Sequence, residues 1–86
     1  MPRISEFYGI IIAMFYNDHN PPHFHATYQG DQITIAIRNF QIIKGSLPSK
    51  ALSLIIEWAS NHQEELLENW VLSKEHRPLK KIDPLL

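Results

Sequence analysis

The chain has 86 residues, no cysteine, 44% hydrophobic and 20% charged residues, and a formal net charge of −1. This composition suits one ordinary globular domain with a modest core; it excludes disorder, disulfide staples and thiolate zinc sites. A nearly neutral chain has no overall field to draw it to nucleic acid or anionic lipid, and the lack of cysteine fits the cytoplasm.

The longest apolar stretch, Tyr8 to Tyr16, falls well short of the roughly 20 residues that span a bilayer. Polar Arg3 and Glu6 precede it and no small-residue cleavage site follows, so neither a membrane anchor nor a signal peptide is expected. Gly9 to Phe15 is apolar on both faces of a strand and reads as a central strand. Asn17 to Pro22, with adjacent prolines and three Asn or Asp residues, is a loop.

The next two segments alternate. Phe24, Ala26 and Tyr28 share one face of a strand, and His23, His25 and Thr27 share the other. Ile33, Ile35 and Ile37 alternate with Thr34, Ala36 and Arg38 in the same way. Gly30-Asp31 suits a two-residue turn with glycine at its first central position. That turn sets Tyr28 against Ile33, Ala26 against Ile35 and Phe24 against Ile37. The opposite face then holds Thr27 with Thr34, His25 with Ala36, and His23 with Arg38.

A short further strand over Gln41 to Lys44 ends at Gly45, and good helix formers run from Pro48 to Lys74. They form one long helix, or two broken near Ser60-Asn61. Leu52, Ile55, Ile56, Ala59, Leu66, Leu67 and Trp70 make an apolar stripe, with Trp58, His62 and Asn69 along one flank. The expected fold is therefore α+β, an antiparallel sheet of three or four strands with a C-terminal helix or helix pair on one face. Residues 1–86 form one domain: sheet over 1–45, helices over 48–74, and an extended tail over 75–86.

Chemistry concentrates in the loop and the strand after it, where three of the five histidines lie. Alternation sets the Cα atoms of His23 and His25 about 7 Å apart on one face. Three readings compete. His23 and His25, joined by His19 or Asp18, offer ligands of the right type for zinc or a similar divalent metal; against it stands Arg38, whose fixed cation beside His23 opposes a second one. Alternatively, His23 and His25 act as general acid and base on a phosphodiester, with Arg38 steadying negative charge, in a metal-independent ribonuclease. In the third reading both imidazoles simply pin the loop through Asp18 or its backbone. The tryptophans read as core or interface anchors, and no glycine-rich phosphate loop or nucleophile elbow is present.

Several stretches together resemble a small bacterial family, the domain of unknown function numbered forty-one sixty. They are Pro2 to Ile10, Asp18-His19-Asn20-Pro21-Pro22-His23-Phe24-His25-Ala26-Thr27-Tyr28, Gly45 to Pro48, Trp58 through His62 to Leu66, Asn69-Trp70, and Lys81 to Leu85. The resemblance implies no established activity. It does imply a stand-alone small protein encoded beside a second domain of unknown function, numbered twenty-four forty-two, in an arrangement like a two-gene toxin-antitoxin module. Its matching positions are Asp18, His19, Pro21, Pro22, His23, His25, Tyr28, Trp58, His62 and Asn69-Trp70, and of these Asp18, His19, Tyr28, Trp58, His62 and Asn69 are the candidate binding residues. The expected role is a toxin-like component that binds a small protein partner, and RNA, or pairs with a copy of itself. The competing class is an enzyme, either a histidine-dependent ribonuclease or a metal-dependent hydrolase using His19, His23 and His25.

Overall fold

The computed structural model describes residues 2–86. These form five strands and two helices: β1 (Arg3–Phe7), β2 (Ile10–Ala13), β3 (His23–Tyr28), β4 (Asp31–Ala36), β5 (Ile42–Gly45), α1 (Ser49–Asn61) and α2 (Gln63–Lys74). The strands make one antiparallel sheet in the order β1-β2-β3-β4-β5. The α+β expectation holds, with one strand more than the sequence reading gives.

The additional strand is β1. Its apolar residues, Ile4 and Phe7, are three apart, so strict alternation would put them on opposite faces. A bulge between Arg3 and Ser5 resolves this: the register jumps from Arg3↔Ala13 to Ser5↔Ile12, which leaves Ile4 as the extra residue. Ile4 and Ser5 are consequently both buried, and Ile4 joins Phe7 in the core. The apolar segment Gly9 to Phe15 shrinks to β2, which is interior between β1 and β3, while β3 is the middle strand.

The β3-β4 hairpin requires a second correction. Gln29 (φ 50°) and Gly30 (φ 87°) take the two left-handed positions of the turn, and Tyr28 pairs with Asp31. Glycine thus stands second in the turn, as Gly9 does after Tyr8 in the β1-β2 turn. The observed register places Ala26 against Ile33, Phe24 against Ile35, His25 against Thr34 and His23 against Ala36. It differs from the expected one by two residues. Because strand side chains repeat every two residues, such a shift leaves each face's membership unchanged. It does change the neighbours. Arg38 lies in the turn beyond β4, faces solvent, and is not beside His23.

One face of the sheet carries Ile10, Ile12, Phe24, Ala26, Ile33 and Ile35 into the core, against Ala51, Ile55, Trp58, Ala59, Leu66 and Trp70 of the helices. Trp58 is fully buried, its ring centroid 5.4 Å from Phe7 and 6.1 Å from Phe24. The helical run does break, at His62, which ends α1 and begins α2. Gln63 ties this junction to the sheet by donating from Nε2 to the carbonyls of Ile37 and Arg38, at 2.8 and 3.1 Å.

The tail after α2 is extended and strapped down. Asn69 clasps the Lys80 backbone from both ends of its amide, Nδ2 donating to the carbonyl and Oδ1 accepting from the N–H, each at 2.9 Å. The Ile82 N–H donates to the Ile4 carbonyl at 2.8 Å, and the Trp58 indole N–H to the Asp83 carbonyl at 2.8 Å. Among the described residues no helix is long and apolar enough to cross a membrane.

Candidate metal centre

His23 and His25 leave β3 on the face away from the isoleucine layer, and the loop ahead of the strand brings Asp18 back onto both. A single carboxylate oxygen, Asp18 Oδ2, lies 2.9 Å from His23 Nε2 and 3.0 Å from His25 Nε2. The two rings stand edge to face, centroids 5.2 Å apart. On their outer sides, the His23 ring lies 5.1 Å from Trp70 and the His25 ring 4.3 Å from Phe15. The Lys74 ammonium sits 4.8 Å from the Trp70 ring centroid and donates to the Asp18 carbonyl, so the last turn of α2 holds the loop in place.

The other ring nitrogens are fixed as well. His23 Nδ1 is 2.7 Å from the Pro21 carbonyl, which can only accept, so Nδ1 carries a hydrogen. A neutral imidazole has one N–H. With that hydrogen committed to Pro21, Nε2 turns a bare lone pair toward the carboxylate unless a second proton or a metal ion stands between them. His25 is different: Nε2 donates to Asp18, while Nδ1 accepts from Thr34 Oγ1 at 3.2 Å and Gln32 Nε2 at 3.4 Å. Burial raises the Asp18 pKa, but the hydrogen bonds from His25 and His23 and their charges outweigh it, and the carboxyl is held below its ordinary value of 3.8.

These three groups can hold a metal ion once the His25 hydrogen moves from Nε2 to Nδ1, where Thr34 Oγ1 accepts it. Asp18 Oδ2, His23 Nε2 and His25 Nε2 all lie within 4.8 Å of one another. Tetrahedral zinc with bonds of roughly 2.0–2.1 Å needs donors about 3.3 Å apart, so the carboxylate would retreat a few tenths of an ångström from each ring while the two ring nitrogens, separated by up to 4.8 Å, would close toward each other. Two imidazoles and one carboxylate form a set of the catalytic kind, which leaves a position for water. An N–H given to a backbone carbonyl, as His23 gives to Pro21, is the usual outer support of a metal-binding histidine. The objection from Arg38 disappears with the corrected register.

The third group that could ligate beside His23 and His25 is Asp18, while His19 is exposed and outside the cluster. The remaining candidates lie elsewhere. His62 Nδ1 meets Glu65 at 2.6 Å, with its ring 5.5 Å from Trp58, and Trp58 and Asn69 secure the tail. Tyr28 lines an apolar cavity with Tyr8, Leu54 and Leu85 at the other end of β3. Sequence reasoning missed Thr34 and Gln32 as supports of His25, and Trp70 and Lys74 as walls of the site. The true register alone would have revealed the first pair, and the spacing of four along α2 hints at the second.

No curated protein and no solved structure matches the chain. The model of one family, described as Domain of unknown function (DUF4160), matches residues 9–71, a span that includes Asp18, His23 and His25. The chain belongs to the DUF4160 family.

Proposed function

We propose that this domain is a small metal-dependent hydrolase, the toxin-like half of a two-gene toxin-antitoxin-type pair, working in the cytoplasm at Asp18, His23 and His25. One observation carries the reading: His23 Nε2 and His25 Nε2 converge on a single carboxylate oxygen while His23 Nδ1 is committed to the Pro21 carbonyl. Held by Asp18, His23 and His25, zinc or a similar divalent metal would supply a bound water that ionises near neutral pH and a Lewis acid for an ester. The chain's own residues do the positioning. Pro21 and Thr34 fix the two ring orientations, and Trp70 and Phe15 close the sides of the site.

Binding of a protein partner is supported by a different observation. The outer edge of the sheet, β5, is exposed along its whole length, with Ile42 and Ile43 each nearly half exposed. An unpaired strand edge bearing apolar residues suits addition of a strand from the neighbouring protein.

Two measurements test this. Protein purified without a histidine tag from metal-replete medium should contain close to one transition metal per chain, and His23→Gln should contain almost none. Induction without the neighbouring gene should arrest growth, and co-expression or His25→Ala should relieve the arrest. Metal-free wild type, or equal growth in all strains, sinks the reading.

A further inference from the structure

The observed register sets up a row that the metal reading does not use. Ala13 pairs with His25, His25 with Thr34, and Thr34 with Lys44, so four residues from β2 to β5 lie side by side on one face. Along this row runs a cleft of about 340 Å³, lined by Phe15, His25, Gln32, Thr34, Lys44 and Gly45. It opens directly beside the His25 imidazole. None of the six lining residues is acidic, Lys44 is cationic, and Phe15 forms an aromatic wall.

We infer that this cleft is the substrate subsite of the proposed metal centre, and that its ligand is a phosphodiester of single-stranded nucleic acid, with Lys44 holding a phosphate and Phe15 facing a base. The inference rests on the hydrolase reading and adds the substrate class. A neutral ester or peptide gains nothing from a lone ammonium, whereas every nucleotide brings one negative charge and one flat ring. The volume suits a unit of that size. Two strand spacings, about 10 Å, separate the Cα atoms of His25 and Lys44. The lysine stem covers part of that distance, so a phosphate on Lys44 leaves the next one beside His25 and Asp18. Base stacking on an aromatic wall needs no particular base, and a single cation reads charge alone.

The floor of the cleft depends on one glycine. A Cβ on Gly45 would lie 2.2 Å from the Gln32 carbonyl oxygen, and its φ of +82° is left-handed. β5 thus comes in close at this point and delivers Lys44 to the row. The reaction adds water across a P–O ester bond. Water oxygen bonds to phosphorus, the bond to the leaving sugar oxygen breaks, and one water proton ends on that oxygen.

The test titrates the full metal-loaded chain with a short single-stranded RNA, DNA of the same sequence, and polyglutamate, by fluorescence anisotropy over a range of salt. Metal content is measured on the same samples. Lys44→Gln should weaken oligonucleotide binding about tenfold at low salt. The slope of log K against log salt should fall by about 0.7, the loss of one phosphate contact on a single strand. Phe15→Leu should weaken binding with the slope unchanged, and both variants should keep their metal. Tighter binding of RNA than DNA names RNA as the source, and equal binding assigns recognition to phosphate and base alone. Unchanged affinity and slope in Lys44→Gln, no oligonucleotide binding by wild type, or equal binding of polyglutamate overturns the inference. Wild type that binds oligonucleotide through Lys44 but holds no metal overturns the hydrolase reading and leaves the cleft standing.

Discussion

Asp18→Asn separates a carboxylate that pins a loop from one that also binds a metal. In the metal-free protein, Asp18 Oδ2 accepts from His25 Nε2 at 3.0 Å and, when His23 carries its second proton, from His23 Nε2 at 2.9 Å, and its side chain is 29% exposed. An amide oxygen can keep one of these bonds, without the charge that strengthens it. Charge-assisted bonds contribute roughly 1.5–3 kcal/mol each, so the substitution should cost about 2 kcal/mol. Thermal unfolding reads this as roughly 8–16 °C in a domain of this size. Zinc then discriminates. At ~100 times its Kd the ion stabilises wild type by about 2.7 kcal/mol, and a variant lacking one of three ligands gains little of that. The gap between the two proteins should widen from about 2 to about 4 kcal/mol on adding zinc. A gap that stays the same with and without zinc would refute the metal role and leave Asp18 as a loop pin.

Three further outcomes follow from the geometry. Asn69→Ala removes two part-buried hydrogen bonds to Lys80 and the packing of a side chain that is 1% exposed; urea unfolding followed by tryptophan fluorescence should show a loss of about 2–3 kcal/mol. Gly45→Ala should cost roughly 1–3 kcal/mol and speed amide exchange in β5 more than in β1 or β2, because the new Cβ meets the Gln32 carbonyl. Asp18 has a folded-state pKa below its ordinary 3.8, so its stabilisation is full above that value and is lost as pH falls through the lower folded one. Metal-free wild type should therefore lose more stability than Asp18→Asn on acidification below pH 3.8, as read by urea midpoints in acidic buffers.

What could be read from the sequence depended on whether a pattern was local. Alternation over His23–Tyr28 and over Ile33 to Ile37 gave the faces correctly, because side-chain period alone decides them. The register needed the turn. Gln29 takes a left-handed position that glutamine seldom occupies, and placing Gly30 first instead of second moved every pair by two. Agreement between faces cannot detect such an error, so it passed directly to Arg38. The same slip hid Thr34 as the partner of His25 and, one strand farther on, the place of Lys44 in the row. β1 was hidden by its bulge, which breaks the alternation a strand is recognised by. The loop histidines stood out by density, but the choice of Asp18 over His19 depends on how the chain doubles back onto β3, with a cis peptide between Asn20 and Pro21. The tail has no periodicity at all. In its bonds to the Asn69 and Trp58 side chains and to the Ile4 carbonyl the tail contributes backbone groups, which look the same in any sequence.

Residues 3–4 and 81–82 are hydrogen-bonded neighbours, through Ile82 N–H to Ile4 and the Lys81 ammonium to the Arg3 carbonyl. In space the polypeptide is therefore nearly a closed ring, fastened where its first strand meets its last segment. Such a ring tolerates being opened elsewhere. A short linker across the fastening and new termini at the exposed Gln29-Gly30 turn would give a circular permutant with the same sheet order, in which Asp18, His23 and His25 remain on one continuous segment.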